Sequence, residues 1–212
     1  TDIDETRLNI VGAFCERVLL ENGIEPRVTR TTDLGRTLDG ADFVIAQIRA
    51  GRLEARIRDE KIPLGFGMIG QETTGIGGFT NALRTIPQME RIAAAVERYA
   101  PDAWLVNFAN PSGIVTEFLL NHTPLKAVGL CNLPIGAQER IARLLGLPME
   151  RVRLETVSLN HCGAITAVHV DGENVLARML EAGALRRAAE ADAWVGGYRP
   201  IIELLGAIPN DY

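Results

Sequence analysis

Three short, nearly unbroken apolar runs constrain this chain more than any other feature. They are Phe43-Val44-Ile45-Ala46-Gln47-Ile48, Trp104-Leu105-Val106-Asn107-Phe108 and Leu125-Lys126-Ala127-Val128-Gly129-Leu130. Runs of this length without polar alternation are the signature of parallel strands buried on both faces. Helical patterns separate them: one over residues 85–99 with Pro87 in its first turn, where proline is tolerated, one opening at Pro111-Ser112, and one over residues 134–145. Strand and helix in alternation predict an α/β fold with a parallel, Rossmann-like sheet.

The flanks add detail. Leu8, Val11, Cys15, Val18 and Leu19 recur at helical spacing between Asp4 and Asn22, and residues 27–31 form a short β-type run. After Met149 the texture changes. Residues 152–159 and 164–170 are β-type runs with no helix between them, which predicts antiparallel pairing. The expected division is residues 1–148 as a partial dinucleotide-binding domain and residues 149–212 as the start of an α+β C-terminal domain. A dinucleotide-binding domain opens on a strand followed by Gly-x-Gly-x-x-Gly. No such turn precedes the first helix, so this first glycine-rich βα unit is missing from the sequence, and the residues alone leave the cofactor unassigned.

Composition narrows the function classes. The balance of 22 basic against 27 acidic residues, with no basic stripe, argues against nucleic acid as the main partner. Three cysteines, Cys15, Cys131 and Cys162, at unrelated spacings do not make a disulfide framework and fit a reducing compartment. No apolar run reaches the roughly 18 residues that span a bilayer, so no membrane partner is expected. The start, Thr1-Asp2-Ile3-Asp4-Glu5, is acidic and unlike a signal peptide. A cytoplasmic location is the expectation.

Ligands of open parallel sheets bind beyond the carboxyl ends of the strands. The loops there are those after Ile48, residues 107–111, residues 131–132 and residues 160–161. Cys131 alone would be a small core hydrophobe, and His161 alone an ordinary satisfied histidine. Together a thiolate and an imidazole are good ligands for a divalent ion. Cys162 is a poorer ligand, because in a continuing strand it points away from His161. The charged run from Glu54 to Lys61 reads as a solvated helix face, or as a place where an arginine grips a phosphate bidentately. Glycines 65, 67, 70, 75, 77 and 78 predict a functional or mobile loop over residues 63–78, with Glu72 inside it.

These motifs, in order, resemble one family. "GADFVIAQIRAG", "RDEKIPLGFGMIGQETTGIGGF", "ALRTIP", "PDAWLVNFANPSG", "GLCNLPIG" and "LNH" are similar to glycoside hydrolase family 4, with "GQETTG" and "CNLPIG" the more specific pieces. The resemblance implies a fold like lactate and malate dehydrogenases, and a need for NAD and Mn2+ or another divalent metal. It implies a small sugar phosphate as substrate and a homo-oligomeric assembly. Cys131 and His161 would hold the metal. Asn110, Asn132 and Arg56 would contact substrate. Glu72 would raise the basicity of a catalytic tyrosine, matched here by Tyr212. Asp4, in the "DID" start, and Asn107 would lie on the NAD side.

The implied reaction is hydride removal from C3 of the sugar, loss of the C2 proton, elimination of the aglycone, water addition and hydride return. Such enzymes stand apart from two-carboxylate glycosidases. Members with aspartate after the metal-binding cysteine tend to act on α-glycosides. The residue here is Asn132, and a neutral amide cannot protonate a leaving group, so a 6-phospho-β-glucoside is expected. Two other readings stand beside this one. A 2-hydroxyacid dehydrogenase on the same fold would need a histidine base paired with an acid, for which only His122 and His169 are spare. A truncated ligand-binding remnant would do no chemistry at all.

Overall fold

The computed structural model describes residues 1–210 of the 212. The packing divides the chain into two compact units. The first holds residues 1–72 and 77–129, and the second holds residues 73–76 and those from Leu130 onward. The sequence division at 148/149 followed the change to β texture. The packing also groups the helix before that point with the second unit, because it delivers Ile141 and Ala142 to that unit's core.

The first unit begins with α1 (Glu5–Glu21), whose first turn is capped by the Asp4 side chain accepting from the Arg7 amide at 3.0 Å. A short α2 (Leu34–Leu38) is capped likewise by Asp33. Then come β1 (Phe43–Ala46), α3 (Arg52–Leu64), α4 (Gly75–Tyr99), β2 (Trp104–Asn107), α5 (Ser112–His122) and β3 (Lys126–Gly129). The three strands pair in parallel in the order β1-β2-β3, and Phe43, Trp104 and Lys126 stand in register. This is the Rossmann-like α/β arrangement that the alternating runs predict.

One face of this sheet is buried. Met89, Ala93 and Val96 of α4 and Val115 and Leu119 of α5 form a core with Ala46 and Leu105. Met89, Leu105 and Leu119 are at or below 1% exposed. Burying each contributes roughly 1.5–3 kcal/mol. The expectation of burial on both faces fails for β1: Phe43 and Ile45 remain 70% and 71% exposed. The two helices cover only the side to which Val44, Ala46 and Leu105 point, since successive strand residues alternate faces. Residues 27–31 form no ladder. The parallel sheet runs only from β1 to β3, which leaves that β-type run without a paired strand among the described residues.

The helix expected over residues 85–99 starts ten residues earlier, at Gly75. Its glycines serve close packing more than mobility. Gly77 and Gly78 are buried, and a Cβ on Gly77 would run into the carbonyl oxygen of Gln71. Pro87 consequently lies inside α4 and not in its first turn. It cannot donate to the carbonyl four residues back, that of Leu83.

The second unit is α+β. It comprises α6 (Leu133–Leu145), a 3-10 turn (Met149–Arg151), β4 (Val152–Leu159), β5 (Cys162–Val170), β6 (Glu173–Asn174), α7 (Leu176–Met179), α8 (Ala182–Ala191), α9 (Ala193–Leu205) and β7 (Ile208–Pro209). β4 and β5 form an antiparallel hairpin with an irregularity between Glu155 and Thr156, and β6 and β7 both pair with β5. Ile141, Val152, Ile165, Val168, Leu185, Trp194 and Ile202 make its core. Trp194 satisfies its indole N–H on the Pro209 carbonyl at 3.0 Å, which ties α9 to β7. Among the described residues no helix is long and apolar enough to cross a membrane.

Candidate functional site

In the first unit the residue types singled out above gather at the end of β1. α3 begins just past that end and presents Arg56, Asp59 and Glu60 within one helical turn. Gly70 then brings the following loop against α3 so closely that a Cβ there would overlap the Glu60 carbonyl. Glu72 lies two residues on and is 5% exposed.

A buried carboxylate must be paired or protonated. Glu72 is paired twice: Arg49 bonds one oxygen, and Arg56 Nη1 lies 3.4 Å from the other. Arg56 Nε donates to Glu60 Oε1 at 2.7 Å. The Asn81 side chain donates to the Glu72 carbonyl at 3.3 Å. Next to this group, Asp59 accepts from Thr80 Oγ1 and Arg84 Nη1, each at 2.9 Å, and from Arg84 Nη2, which joins α3 to α4. Sequence reasoning named Arg56 and Glu72 but missed Arg49. The available signal was the one used for Arg56, an arginine just past a strand end.

Asn107 and Asn110 follow β2. Asn107 is wholly buried, and its side chain serves the loop around it. Its Oδ1 accepts from the Ala109 amide at 3.0 Å and its Nδ2 donates to Thr116 Oγ1 at 3.1 Å. Asn110 is half-buried in the same loop. Asp4 turns one carboxylate oxygen to the α1 cap, and the other lies 3.8 Å from Arg52 Nη2.

In the second unit Cys131 and Asn132 open α6. Asn132 is its N-cap residue, yet its exposed side chain makes no cap bond. His161 sits in the two-residue turn of the β4–β5 hairpin, where Leu159 pairs with Cys162. It adopts φ +58°, a left-handed conformation uncommon for a residue with a Cβ. His161 Nε2 lies 3.3 Å from Cys131 Sγ, and His161 Nδ1 lies 2.8 Å from Thr73 Oγ1. Thr73 is 4% exposed. It was not singled out from the sequence, because a threonine in a glycine-rich loop carries no distinguishing pattern. Cys162 is exposed on β5.

The separation suits a shared ion. Zinc–sulfur and zinc–nitrogen bonds of about 2.3 and 2.0–2.1 Å, taken as the guide for a small divalent ion, put the two atoms roughly 3.1 Å apart at a right angle and roughly 3.6 Å apart at the tetrahedral angle. The observed 3.3 Å falls within that range. Among the described residues no cluster of three or more His, Cys, Asp or Glu side chains is present. Tyr212 lies outside the described residues.

The two remaining histidines have other settings. His122 stacks on Phe118 at 5.5 Å between ring centroids. His169 does have an acid partner, Glu155 at 2.9 Å, but it stands near the end of the hairpin away from the turn that carries His161.

The family model for family 4 glycosyl hydrolases matches residues 1–147. This chain belongs to glycoside hydrolase family 4. The 6-phospho-beta-glucosidase of Escherichia coli K12 is 40% identical over 177 residues, which are 82% of this chain and 39% of that protein. The 6-phospho-beta-glucosidase structure of Thermotoga maritima with NAD and glucose-6-phosphate superposes with a TM-score of 0.82 at 36% identity, over 100% of this chain and 49% of that one. A 6-phospho-alpha-glucosidase from gut microorganisms, in complex with NAD and Mn2+, gives a TM-score of 0.85 at 31% identity, over 100% of this chain and 51% of that one. Malate dehydrogenase of Plasmodium falciparum shares the fold alone, with a TM-score of 0.65 at 13% identity. The chain thus spans two fifths to one half the length of these family relatives.

Proposed function

We propose that the protein containing this chain hydrolyses a 6-phospho-β-glucoside, using NAD and a divalent metal such as Mn2+. The observation that carries this reading is the Cys131–His161 pair at 3.3 Å, in a chain of this family. The dehydrogenase alternative is not favoured, since the relatives are 6-phospho-glucosidases.

When bound, NAD accepts and later returns the C3 hydride, and the metal acts as a Lewis acid at the neighbouring sugar oxygens. The residues of the chain do the rest. Cys131 binds as thiolate and His161 through the Nε2 lone pair. Tyr212 takes the C2 proton, made acidic by the C3 ketone. Glu72, as a carboxylate, raises the basicity of the tyrosine oxygen, because a negative charge disfavours a second one near it. Arg49 and Arg56, each partly exposed and anchored on Glu72, offer guanidinium N–H groups to the substrate phosphate. Asn110 and Asn132 hydrogen-bond the sugar. Asp4 bonds the ribose, and Asn107 acts on the cofactor side through the loop its side chain holds.

The β preference rests on Asn132, whose amide accepts and donates hydrogen bonds but supplies no proton to a departing oxygen. The test is turnover of p-nitrophenyl 6-phospho-α- and 6-phospho-β-glucosides by the full-length protein with NAD, Mn2+ and a thiol reductant. Faster β turnover is expected. Faster α turnover would show that Asn132 does not set the stereochemistry. Activity on neither would overturn the phosphosugar assignment.

A further inference from the structure

We propose that Thr73 is a positioning residue that fixes the tautomer and ring orientation of His161, so that the Nε2 lone pair is presented beside the Cys131 sulfur. The inference rests on the reading of Cys131 and His161 as a metal pair. A neutral imidazole carries one N–H, and a ring that ligates through Nε2 must carry it on Nδ1. The group facing Nδ1 is Thr73 Oγ1 at 2.8 Å, within the range of a well-formed hydrogen bond. In that tautomer Nδ1–H donates and the hydroxyl oxygen accepts. Metal-ligating histidines almost always donate the second ring N–H to an acceptor, commonly a carboxylate, a backbone carbonyl or water; the Thr73 hydroxyl oxygen takes that place here.

Two features make Thr73 suited to the task. It is 4% exposed, so its hydroxyl is shielded from competition with bulk water. Threonine is also stiff about χ1, because both heavy atoms on Cβ restrict it to few rotamers. The oxygen is therefore held where the ring needs it. His161 itself is set in a two-residue turn at positive φ, which gives the backbone little freedom to compensate if the hydroxyl is lost.

The experiment is direct Mn2+ binding, read by the loss of the free-ion EPR signal, on the full-length protein and its T73S, T73V and C131A variants. Thermal melts run in parallel. T73V preserves the shape and removes the hydroxyl, so Mn2+ affinity should fall about 10- to 100-fold. T73S should bind close to wild type. Nitrogen-15 NMR of the metal-free wild type should show His161 protonated on Nδ1. If T73V binds like wild type while C131A does not, the role of Thr73 is overturned and the metal pair stands. If T73S is as weak as T73V, packing and not the hydroxyl is responsible, and the inference fails. If C131A binds as well as wild type, the metal reading itself fails. Should T73V not fold, the wild-type spectrum decides: a proton on Nε2 overturns the assignment.

Discussion

Asp59 on α3 and Arg84 on α4 form a two-pronged ion pair, with Thr80 as a third donor to the same carboxylate. Asp59 is 5% exposed. The pair fixes the two helices whose facing ends frame the loop carrying Glu72. Removing one partner of a pair that one side holds in the interior leaves an uncompensated charge, and the cost is large even where the pair itself adds little net stability.

Asp59→Asn leaves the Arg84 guanidinium facing a neutral amide. We expect a loss of about 2–4 kcal/mol of unfolding free energy, below the fully buried case because the Arg84 side chain is 33% exposed. Urea denaturation measures it. A midpoint unchanged from wild type would show that α3 and α4 are held by other contacts.

Arg49→Met removes one of the two cations on Glu72. A hydrogen bond to a charged group contributes about 1.5–3 kcal/mol, so kcat/KM of the full-length protein for a 6-phosphoglucoside should fall roughly 10- to 100-fold. Arg49→Lys should recover part of this, since it restores the charge without the planar fork. Steady-state kinetics would separate the two. Equal activity of the methionine variant and wild type would remove Arg49 from the site.

Gly70→Ala tests the close approach of the loop to α3. The added methyl overlaps the Glu60 carbonyl, which is backbone and cannot swing aside. Overpacking of this kind costs about 1–3 kcal/mol. The variant should melt below wild type and lose activity through the displaced Glu72. A normal melt with normal kinetics would show that the loop does not need the glycine.

Asp2 supplies the pH prediction. Its carboxylate bonds the Arg7 guanidinium, which is the main reason its pKa is lowered to about 2. The Asp4 amide, donating at 2.9 Å, acts in the same direction. The folded value lies below that of the unfolded chain, so the contribution is complete above about pH 4 and is lost as pH falls through about 2. Carbon-detected NMR titration of the Asp2 carboxyl should give a midpoint near the lower value in wild type. Arg7→Ala should return it toward the ordinary aspartate range. A wild-type midpoint near 4 would show that the ion pair does not form in solution.

Much of this molecule was legible in the chain itself. Continuous apolar runs separated by helical spacing suffice to predict three parallel strands, because strand and helix periods differ and burial selects for apolar residues. The texture change after Met149 likewise announced the β4–β5 hairpin. Positions after strands singled out Cys131, His161 and Arg56 as candidates, and the glycine-rich loop singled out Glu72; their roles in catalysis are proposals. What failed were the features that depend on neighbours. The runs could not tell that Phe43 and Ile45 would face outward, since an apolar residue looks the same in sequence whether or not a helix covers it.

Glycine content suggested a functional or mobile loop through residue 78, whereas Gly77 is helical and packed against the Gln71 carbonyl. Local propensity is weak, and a close approach that only glycine permits can override it. Residues 27–31 had β character, but a strand exists only through its hydrogen-bonded partner.

The sequence by itself determined residue chemistry, periodicity and the membership of a family. The tertiary structure alone decided that Thr73 meets His161 across 88 positions and that Arg49 meets Glu72 across 23. Such pairs have no sequence period. They arise when the chain returns to a point it has already passed, and only the packed backbone sets where that happens.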